Sequence, residues 1–206
     1  MSDYIRSFSE FYNSNILKES YVKDLKEVGI RQYVGDMAEI ERKNFTYYVS
    51  SQYDLLHDYN LEGYIGLGLF DDHERIVGYI YGNSLGADDE FDSLDEGDFD
   101  NAQFYDQGFK ETLLQNGIEN TLTPENTFYT ANFVINKENR IGIGKLLPKF
   151  IEKVKAAGYT YMTFDGLQDT LRIYSGRRSS RLNTVGIKIM VEIDLGESKL
   201  TLMKIR

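Results

Sequence analysis

Asn136–Leu147 reads NKENRIGIGKLL and begins the clearest periodic pattern in the chain. From Ile143 onward, apolar residues follow the spacing of a helix that buries one face. These residues are Ile143, Leu146, Leu147, Phe150, Ile151 and Val154. Four lysines, Lys145, Lys149, Lys153 and Lys155, lie among the remaining positions, and Gly158 provides a C-terminal stop. The pattern therefore predicts an amphipathic helix that starts beside two glycines.

Apolar runs on both sides of this helix predict two strands. The run FYTANFVI, Phe128–Ile135, precedes the helix, and YTYMTF, Tyr159–Phe164, follows it. A strand–helix–strand unit favours parallel pairing of its strands through a right-handed crossover. The expected fold class is therefore α/β, with helices flanking a central sheet.

The glycines at the helix start, Gly142 and Gly144, indicate an anion site. Without side chains in the way, backbone N–H groups can point outward, and the positive end of the helix dipole strengthens their attraction for a pyrophosphate. Glycines at a helix start also permit close packing, so that interpretation stays open. A P-loop is excluded because Asn139 and Leu146 stand where it needs Gly and Ser or Thr, and Leu147 replaces the third glycine of a dinucleotide fingerprint.

The rest of the chain predicts two hairpins. The runs YIGLGLF, Tyr64–Phe70, and RIVGYIY, Arg75–Tyr81, are separated by a four-residue turn, Asp71–Glu74. A second hairpin closes the chain, with strands at Ile187–Asp194 and Lys199–Ile205.

Two helices are expected near the start of the chain. Asp36–Leu56 has helical spacing of its apolar residues, with Asp36 as N-cap. Lys18–Val28 is compatible with a helix that ends at Gly29 or with a strand.

The composition excludes several classes of protein and site. A chain of 206 residues fits one domain, and the absence of cysteine excludes disulfides, thiolate metal sites and a cysteine nucleophile. The first residues lack the apolar core of a signal peptide, and no run reaches the roughly 20 apolar residues that cross a bilayer. A cytoplasmic protein with no membrane partner is expected.

The net charge of −10 is concentrated in one segment. Gly86–Asn126 contains twelve acidic residues and one basic residue, Lys110, so the rest of the chain carries about +1. We expect a solvated acidic insertion over about 86–126, which is a poor partner for nucleic acid. The insertion either attracts a cationic acceptor or only keeps the protein soluble.

The segment Asn139–Gly144, NRIGIG, resembles the signature of the GNAT superfamily of N-acetyltransferases: Arg or Gln, two residues, Gly, one residue, then Gly or Ala. The order of the predicted elements is also similar, from Asp36 to Ile205, interrupted by the acidic insertion. The chain departs from the family at Asn139, where Arg or Gln is usual, and at Pro148, which should kink the helix.

The resemblance implies a single acyl-CoA N-acyltransferase-like domain over residues 1–206, with a mixed central sheet. It implies acetyl-CoA as co-substrate and transfer of the acetyl group to a primary amine, on a small molecule or a basic protein. In that family the signature turn holds the pyrophosphate and the preceding strand pairs with the pantetheine arm. Those roles fall on Val134, Ile135, Arg140, Ile141, Gly142, Ile143, Gly144 and Lys145.

The resemblance also implies a late tyrosine that protonates the departing thiolate. Leu171–Tyr174, LRIY, matches the family's run if an insertion separates it from Gly186-Ile187. Tyr174 is then the catalytic acid. A different placement of the gap puts Leu182 at that position, and Tyr174 becomes one of sixteen tyrosines with a packing role.

Two features of the sequence point to other functions. Gly82-Asn83-Ser84-Leu85-Gly86 matches a hydrolase nucleophile elbow, but both histidines precede Ser84, so chance is the better explanation. The altered signature is also compatible with a GNAT-fold binding protein that has lost catalysis and whose acidic insertion contacts a basic partner.

Overall fold

The computed structural model describes residues 20–45, 49–85, 125–167, 186–194 and 198–206, with positions 87, 115, 117, 122 and 123 between them. The side chains of 140–141, 165–167, 193–194 and 198–200 are outside this description. The described residues form a seven-stranded mixed sheet with flanking helices, which confirms the expected fold class. The strands are β1 (Tyr21–Asp24), β2 (Ile65–Phe70), β3 (Ile76–Ser84), β4 (Thr127–Ile135), β5 (Tyr161–Leu167), β6 (Ile187–Asp194) and β7 (Ser198–Ile205).

The sheet order is β1-β2-β3-β4-β5-β7-β6. β4 and β5 are parallel, and every other neighbouring pair is antiparallel. The crossover between β4 and β5 contains a short 3₁₀ helix, Lys137–Gly142, followed by α4, Ile143–Ala156. The strand–helix–strand unit and both hairpins are therefore confirmed.

The helix expected over Asp36–Leu56 is wrong, because the chain forms two helices there. α2 covers Val34–Asn44 and α3 covers Gln52–Asn60. Ser51 starts α3 with a reciprocal capping box, in which its hydroxyl accepts from the Asp54 amide while the Asp54 carboxylate accepts from the Ser51 amide. Asp36 is not the N-cap of α2, since Tyr33 holds that position.

The sequence left Lys18–Val28 open between a helix and a strand, and the structure contains one of each before Gly29. β1 is followed at once by a single helical turn, α1, Leu25–Val28. The Asp24 carboxylate accepts from the Lys26 amide at 2.8 Å and so caps this turn. A 3₁₀ turn, Ile30–Gln32, then leads into α2.

The two faces of the sheet carry separate apolar clusters. α4 packs on one face with the side chains that its periodicity predicts as buried: Leu146, Phe150, Ile151 and Val154. α2 and α3 cover the other face, over buried aromatic residues that include Tyr79 and Tyr81. Burying each such side chain contributes about 1.5–3 kcal/mol, so packing on the sheet stabilises all three helices.

The expected acidic insertion lies almost wholly outside the described residues. Pro148 lies inside α4, as the sequence requires. Within the described ranges, no helix combines the length and the apolar character that crossing a bilayer requires.

Candidate functional site

β4 and β5 pair along only part of their length. Their parallel register runs from Thr127 opposite Tyr161 to Thr130 opposite Phe164. β4 then continues to Ile135 alongside β3, while β5 continues to Leu167 alongside β7. Among the described residues, no strand therefore pairs with residues 131–135 on the side away from β3. The two parallel strands diverge toward the end of the sheet where α4 begins.

A β-bulge lies at the point of divergence. Tyr81 is opposite Asn132 and Asn83 is opposite Tyr129, so Gly82 alone faces both Thr130 and Ala131. A Cβ on Gly82 would lie 1.9 Å from the Tyr129 carbonyl oxygen and 2.9 Å from the Thr130 Cα. Only glycine permits this approach of the two backbones, and the extra residue bends β4 away from β5.

The bulge is followed by regular pairing that determines which backbone groups point into the gap. The Asn136 amide donates to the Val77 carbonyl at 2.9 Å, so Ile135 and Gly78 form a non-hydrogen-bonded pair. Val134 then exchanges both hydrogen bonds with Tyr79, and the N–H and C=O of Ile135 point away from β3. Of the two strand residues predicted to contact a pantetheine, Ile135 alone has its backbone turned toward the gap.

The side chains of these two residues lie on opposite faces of the sheet. Val134 is buried in the cluster under α2 and α3, whereas Ile135 is buried under α4. The backbone, and not either side chain, is therefore what this strand can offer to a ligand in the gap.

The predicted signature turn is helical. Residues 137–142 form the 3₁₀ helix, and the Asn139 amide donates to the Asn136 carbonyl at 2.8 Å. α4 begins at Ile143, directly after the 3₁₀ helix, so residues 143–145 form its first turn. Any amide of this turn that the 3₁₀ helix does not use is a donor suited to an anion.

Gly142 and Gly144 have different surroundings. A Cβ on Gly142 would lie 2.2 Å from a methyl carbon of Leu69, which is fully buried. A Cβ on Gly144 would meet nothing within 4 Å. The packing explanation therefore accounts for Gly142, whereas Gly144 leaves the start of the helix open to solvent.

The other predicted cofactor contacts flank these glycines. Ile143 is half-buried against the cluster under α4. The Lys145 ammonium donates to the Ser20 carbonyl at 2.7 Å, so this lysine ties α4 to the start of β1. The backbones of Arg140 and Ile141 belong to the 3₁₀ helix, and their side chains lie outside the described part of the chain.

The diverging part of β4 is anchored from the α2 side by a buried carboxylate. Glu41 of α2 is fully buried and accepts from the Asn132 side chain and from the Ser50 amide, both at 2.6 Å. The Tyr79 hydroxyl donates to the same carboxylate. Burial, together with the Glu41 charge, raises the pKa of Tyr79 well above its usual value, so the phenol remains a donor. These contacts fix residue 132 where a neighbouring strand is lacking.

Two further residues singled out in the sequence are Tyr174 and Ser84, and the structure describes only Ser84. Tyr174 lies outside the described residues, so its role as catalytic acid stays a prediction. Ser84 lies at the end of β3, where its hydroxyl hydrogen-bonds the Tyr159 hydroxyl at 2.5 Å. With Gly82 in the bulge, the elbow-like motif has a packing role, as chance occurrence would lead one to expect.

Sequence reasoning missed the residues that create the gap. Thr130 lies in a predicted strand, but Gly82 comes directly after the predicted strand Arg75–Tyr81, and no local pattern marks where β4 leaves β5. In the structure Gly82 lies inside β3, and a glycine inside a strand often marks a bulge or a close backbone approach.

Comparisons with known proteins agree with this geometry. No family model matches the chain, and no curated protein matches its sequence. Three solved structures illustrate the structural matches. A GNAT superfamily phosphinothricin acetyltransferase from Sinorhizobium meliloti, in complex with AcCoA, aligns with a TM-score of 0.54 at 13% identity, over 90% of this chain and 86% of that one.

The second is yncA from Salmonella typhimurium, a putative acetyltransferase with its cofactor acetyl-CoA. Its TM-score is 0.54 at 14% identity, over 91% of this chain and 93% of that one. The third, an aminoglycoside 6'-acetyltransferase type Ii, has a TM-score of 0.52 at 11% identity, over 90% and 96% of the two chains. The order of the strands, the gap after Thr130 and these alignments agree that this chain has the fold of the GNAT superfamily of acetyltransferases.

Proposed function

We propose that this chain is a cytoplasmic, single-domain N-acetyltransferase that uses acetyl-CoA to acetylate a primary amine. The observation that carries the proposal is the divergence of β4 from β5 after Thr130, directly before the glycine-led start of α4. A pantetheine arm is an amide chain that can pair with an exposed strand backbone, and a diphosphate is an anion that suits a helix start. The unpaired strand backbone and the helix start therefore lie close together in the chain, between residues 131 and 145.

The described residues have distinct tasks under this proposal. Ile135 offers its N–H and C=O to the amides of pantetheine, and the first-turn amides near Gly144 bind the diphosphate. Gly82 maintains the bulge that keeps the gap open. The buried contacts of Glu41 hold β4 in place while a ligand occupies the position of the missing strand.

The chemistry requires little more than orientation and proton transfer. The neutral amine attacks the thioester carbonyl, so a C–N bond forms, the C–S bond breaks, and the amine gives up a proton. The thiolate must take a proton as it leaves, and Tyr174 is our candidate for that acid.

One observation favours the alternative, a binding protein of the same fold without turnover. The 3₁₀ helix uses amides of the signature turn, such as that of Asn139, which would otherwise be available to the diphosphate. The names of the aligned enzymes also point to different acceptors, phosphinothricin and aminoglycosides, so the alignments leave the acceptor undefined.

Calorimetry with acetyl-CoA, followed by a thiol-release assay against a panel of primary amines, separates the two functions. We expect saturable binding of acetyl-CoA and release of CoA that depends on at least one amine. Binding without turnover on any amine would favour the binding protein, and the absence of binding would contradict both.

A further inference from the structure

β4 is the middle strand of the seven, but its centre is less buried than its two ends. Residues 127–128 and 134–135 are buried, whereas residues 131–133 are only half-buried. The middle strand of a sheet that carries helices on both faces is normally its most buried strand. The exposure of residues 131–133 therefore marks a place where the sheet is accessible, directly after β4 has left β5.

Asn132 is the one polar residue in the unpaired half of β4, since residues 131–135 read ANFVI. Its side chain lies on the α2 face of the sheet, because it donates to the Glu41 carboxylate at 2.6 Å. It follows Thr130, the last residue that pairs with β5, by two positions, which is roughly 7 Å along a strand. A half-buried amide thus lies beside the closed end of the gap, on the face opposite α4.

The contact with Glu41 determines which end of this amide is available. Glu41 is fully buried and also accepts from the Ser50 amide and from the Tyr79 hydroxyl. A carboxylate only accepts hydrogen bonds, so it holds the Asn132 amide nitrogen and leaves the amide oxygen for another partner. A hydrogen bond from the nitrogen to a charged group also makes the oxygen a better acceptor, because linked hydrogen bonds polarise one another.

Under the proposed function, the reacting carbonyl of acetyl-CoA comes to this amide. The diphosphate lies at the start of α4, beyond Ile135, so the pantetheine arm runs back along β4 and its thioester reaches the closed end of the gap. The attacking amine must turn its lone pair toward the thioester carbonyl. Its N–H groups then point away from acetyl-CoA and need hydrogen-bond acceptors.

We propose that the Asn132 amide oxygen accepts a hydrogen bond from the primary amine of the acceptor, and that Glu41 is the positioning residue that orients this amide. This inference rests on the proposed function and adds to it a residue that touches the acceptor. A primary amine has two N–H groups, so Asn132 holds one while the other releases its proton after the C–N bond forms. The nitrogen gains positive charge as it attacks, so the hydrogen bond is strongest in the transition state and raises kcat.

Asn132→Ala removes the amide oxygen. In the thiol-release assay, with the amine that gives the highest kcat/KM, we expect kcat to fall about 30-fold, the value of a hydrogen bond to a charged group. The Kd for acetyl-CoA should stay within about twofold, because the backbone of β4 binds the pantetheine. Asp71→Asn, in the turn between β2 and β3, controls for a general loss of stability and should keep kcat. Unchanged kcat in Asn132→Ala, or a loss confined to acetyl-CoA affinity, would overturn the proposal.

Glu41→Gln tests the orientation of the amide. A glutamine offers both a donor and an acceptor, so it no longer holds the Asn132 amide in one orientation. We expect kcat to fall about tenfold, and by more than the affinity for acetyl-CoA falls. Glu39→Gln, at a largely exposed position of the same helix, should keep kcat. Full kcat in Glu41→Gln would remove the positioning role from Glu41.

A measurement that needs no turnover keeps this inference distinct from the proposed function. The side-chain NH₂ signals of Asn132 are identified in amide NMR spectra by their loss in Asn132→Ala. In the presence of CoA, methylamine should shift these signals, whereas tetramethylammonium, which has no N–H, should not. Methylamine is the probe because every primary alkyl amine contains its reacting group.

The outcomes separate the two claims. A shift with methylamine supports the contact even where no amine is acetylated. Acetyl-CoA binding and turnover without any shift, or equal shifts with both probes, would overturn the contact and leave the proposed function standing. If acetyl-CoA does not bind, the proposed function fails and the role of Asn132 fails with it.

Discussion

The two halves of β4 have different surroundings although they belong to one strand. Residues 127–130 lie between β3 and β5, and residues 131–135 have β3 on one side only among the described residues. The first half resembles any central strand, with Thr127 and Thr130 almost fully buried. The second half borders a gap on the side away from β3. It is anchored by the hydrogen bond that the Asn132 side chain donates to the Glu41 carboxylate. A single extra residue opposite Gly82 separates a segment paired on both sides from the segment that we propose binds a ligand.

The largest effect, on the stability of the fold, is expected from replacing Gly82, because its bulge separates the two halves of β4. Gly82→Ala places a methyl group on the backbone of Tyr129 and Thr130, and neither can move without breaking the sheet. We expect the free energy of unfolding to fall by about 3 kcal/mol or more, measured by chemical denaturation. Gly35→Ala in α2 is the control, because its added methyl would make only an ordinary contact at 3.6 Å with Gln52. An equally stable Gly82→Ala protein would refute the role of the bulge.

The next largest effect is expected on the affinity for acetyl-CoA, which we propose binds in the gap beside residues 131–135. Gly144→Glu adds bulk and negative charge at an exposed first-turn position, so we expect acetyl-CoA affinity to fall by about 100-fold, or ~2.7 kcal/mol. The fold should tolerate it, because nothing lies within 4 Å and acidic residues suit a helix start.

Gly144→Ala is the matched control for this change. The methyl group also meets open space, and the family signature accepts Ala at this position. We expect retained affinity with a thermal stability equal to or above that of the wild type. Unchanged affinity in Gly144→Glu would remove the diphosphate from the start of α4.

A smaller loss of stability is expected from replacing Glu41, which anchors residues 131–135. Glu41→Gln replaces one carboxylate oxygen, a hydrogen-bond acceptor, with an amide nitrogen that only donates. A buried donor of Tyr79, Asn132 or Ser50 is then left without a partner. We expect a loss of about 2 kcal/mol in the free energy of unfolding. Glu39→Gln on the same helix, where the glutamate side chain is 46% exposed, should change it by less than about 0.5 kcal/mol. Equal effects would contradict the anchoring role.

The smallest effect is expected in the turn between β2 and β3. Burial opposes ionisation of Asp71, but hydrogen bonds from Arg75 and from the His73 amide outweigh it and lower the pKa of Asp71. The lowered pKa stabilises the fold above the ordinary carboxyl pKa near 4, and this stabilisation disappears as pH falls through the folded-state pKa.

Asp71→Asn should therefore cost about 1 kcal/mol at pH 7 and progressively less in acid, with acetyl-CoA affinity unchanged. Denaturation curves of Asp71→Asn and of the exposed control Asp72→Asn, recorded between pH 7 and pH 3, measure this. A pH-independent difference would exclude the ionised Asp71 as its cause.

The sequence predicted those elements that depend on local patterns. The periodicity after Gly144 predicted α4, and the turn Asp71–Glu74 predicted the β2–β3 hairpin, because neighbouring residues determine both. The break between α2 and α3 was missed, although Ser51 and Asp54 have the spacing of a capping box.

The gap could not be predicted in the same way. It depends on Gly82 meeting residues of a strand that follows the acidic segment. These are contacts between distant parts of the chain, and no spacing within either part encodes them. Tyr174 and most of 86–126 lie outside the described residues and remain predictions.

Amide hydrogen exchange at two adjacent residues tests the central claim most directly. Val134 donates to β3 in our account, so its amide should exchange slowly whether or not CoA is present. The Ile135 amide points into the gap and should become protected only when CoA is added, as the pantetheine arm takes the place of a strand. Unchanged exchange at Ile135 under saturating CoA would contradict binding between β4 and β5.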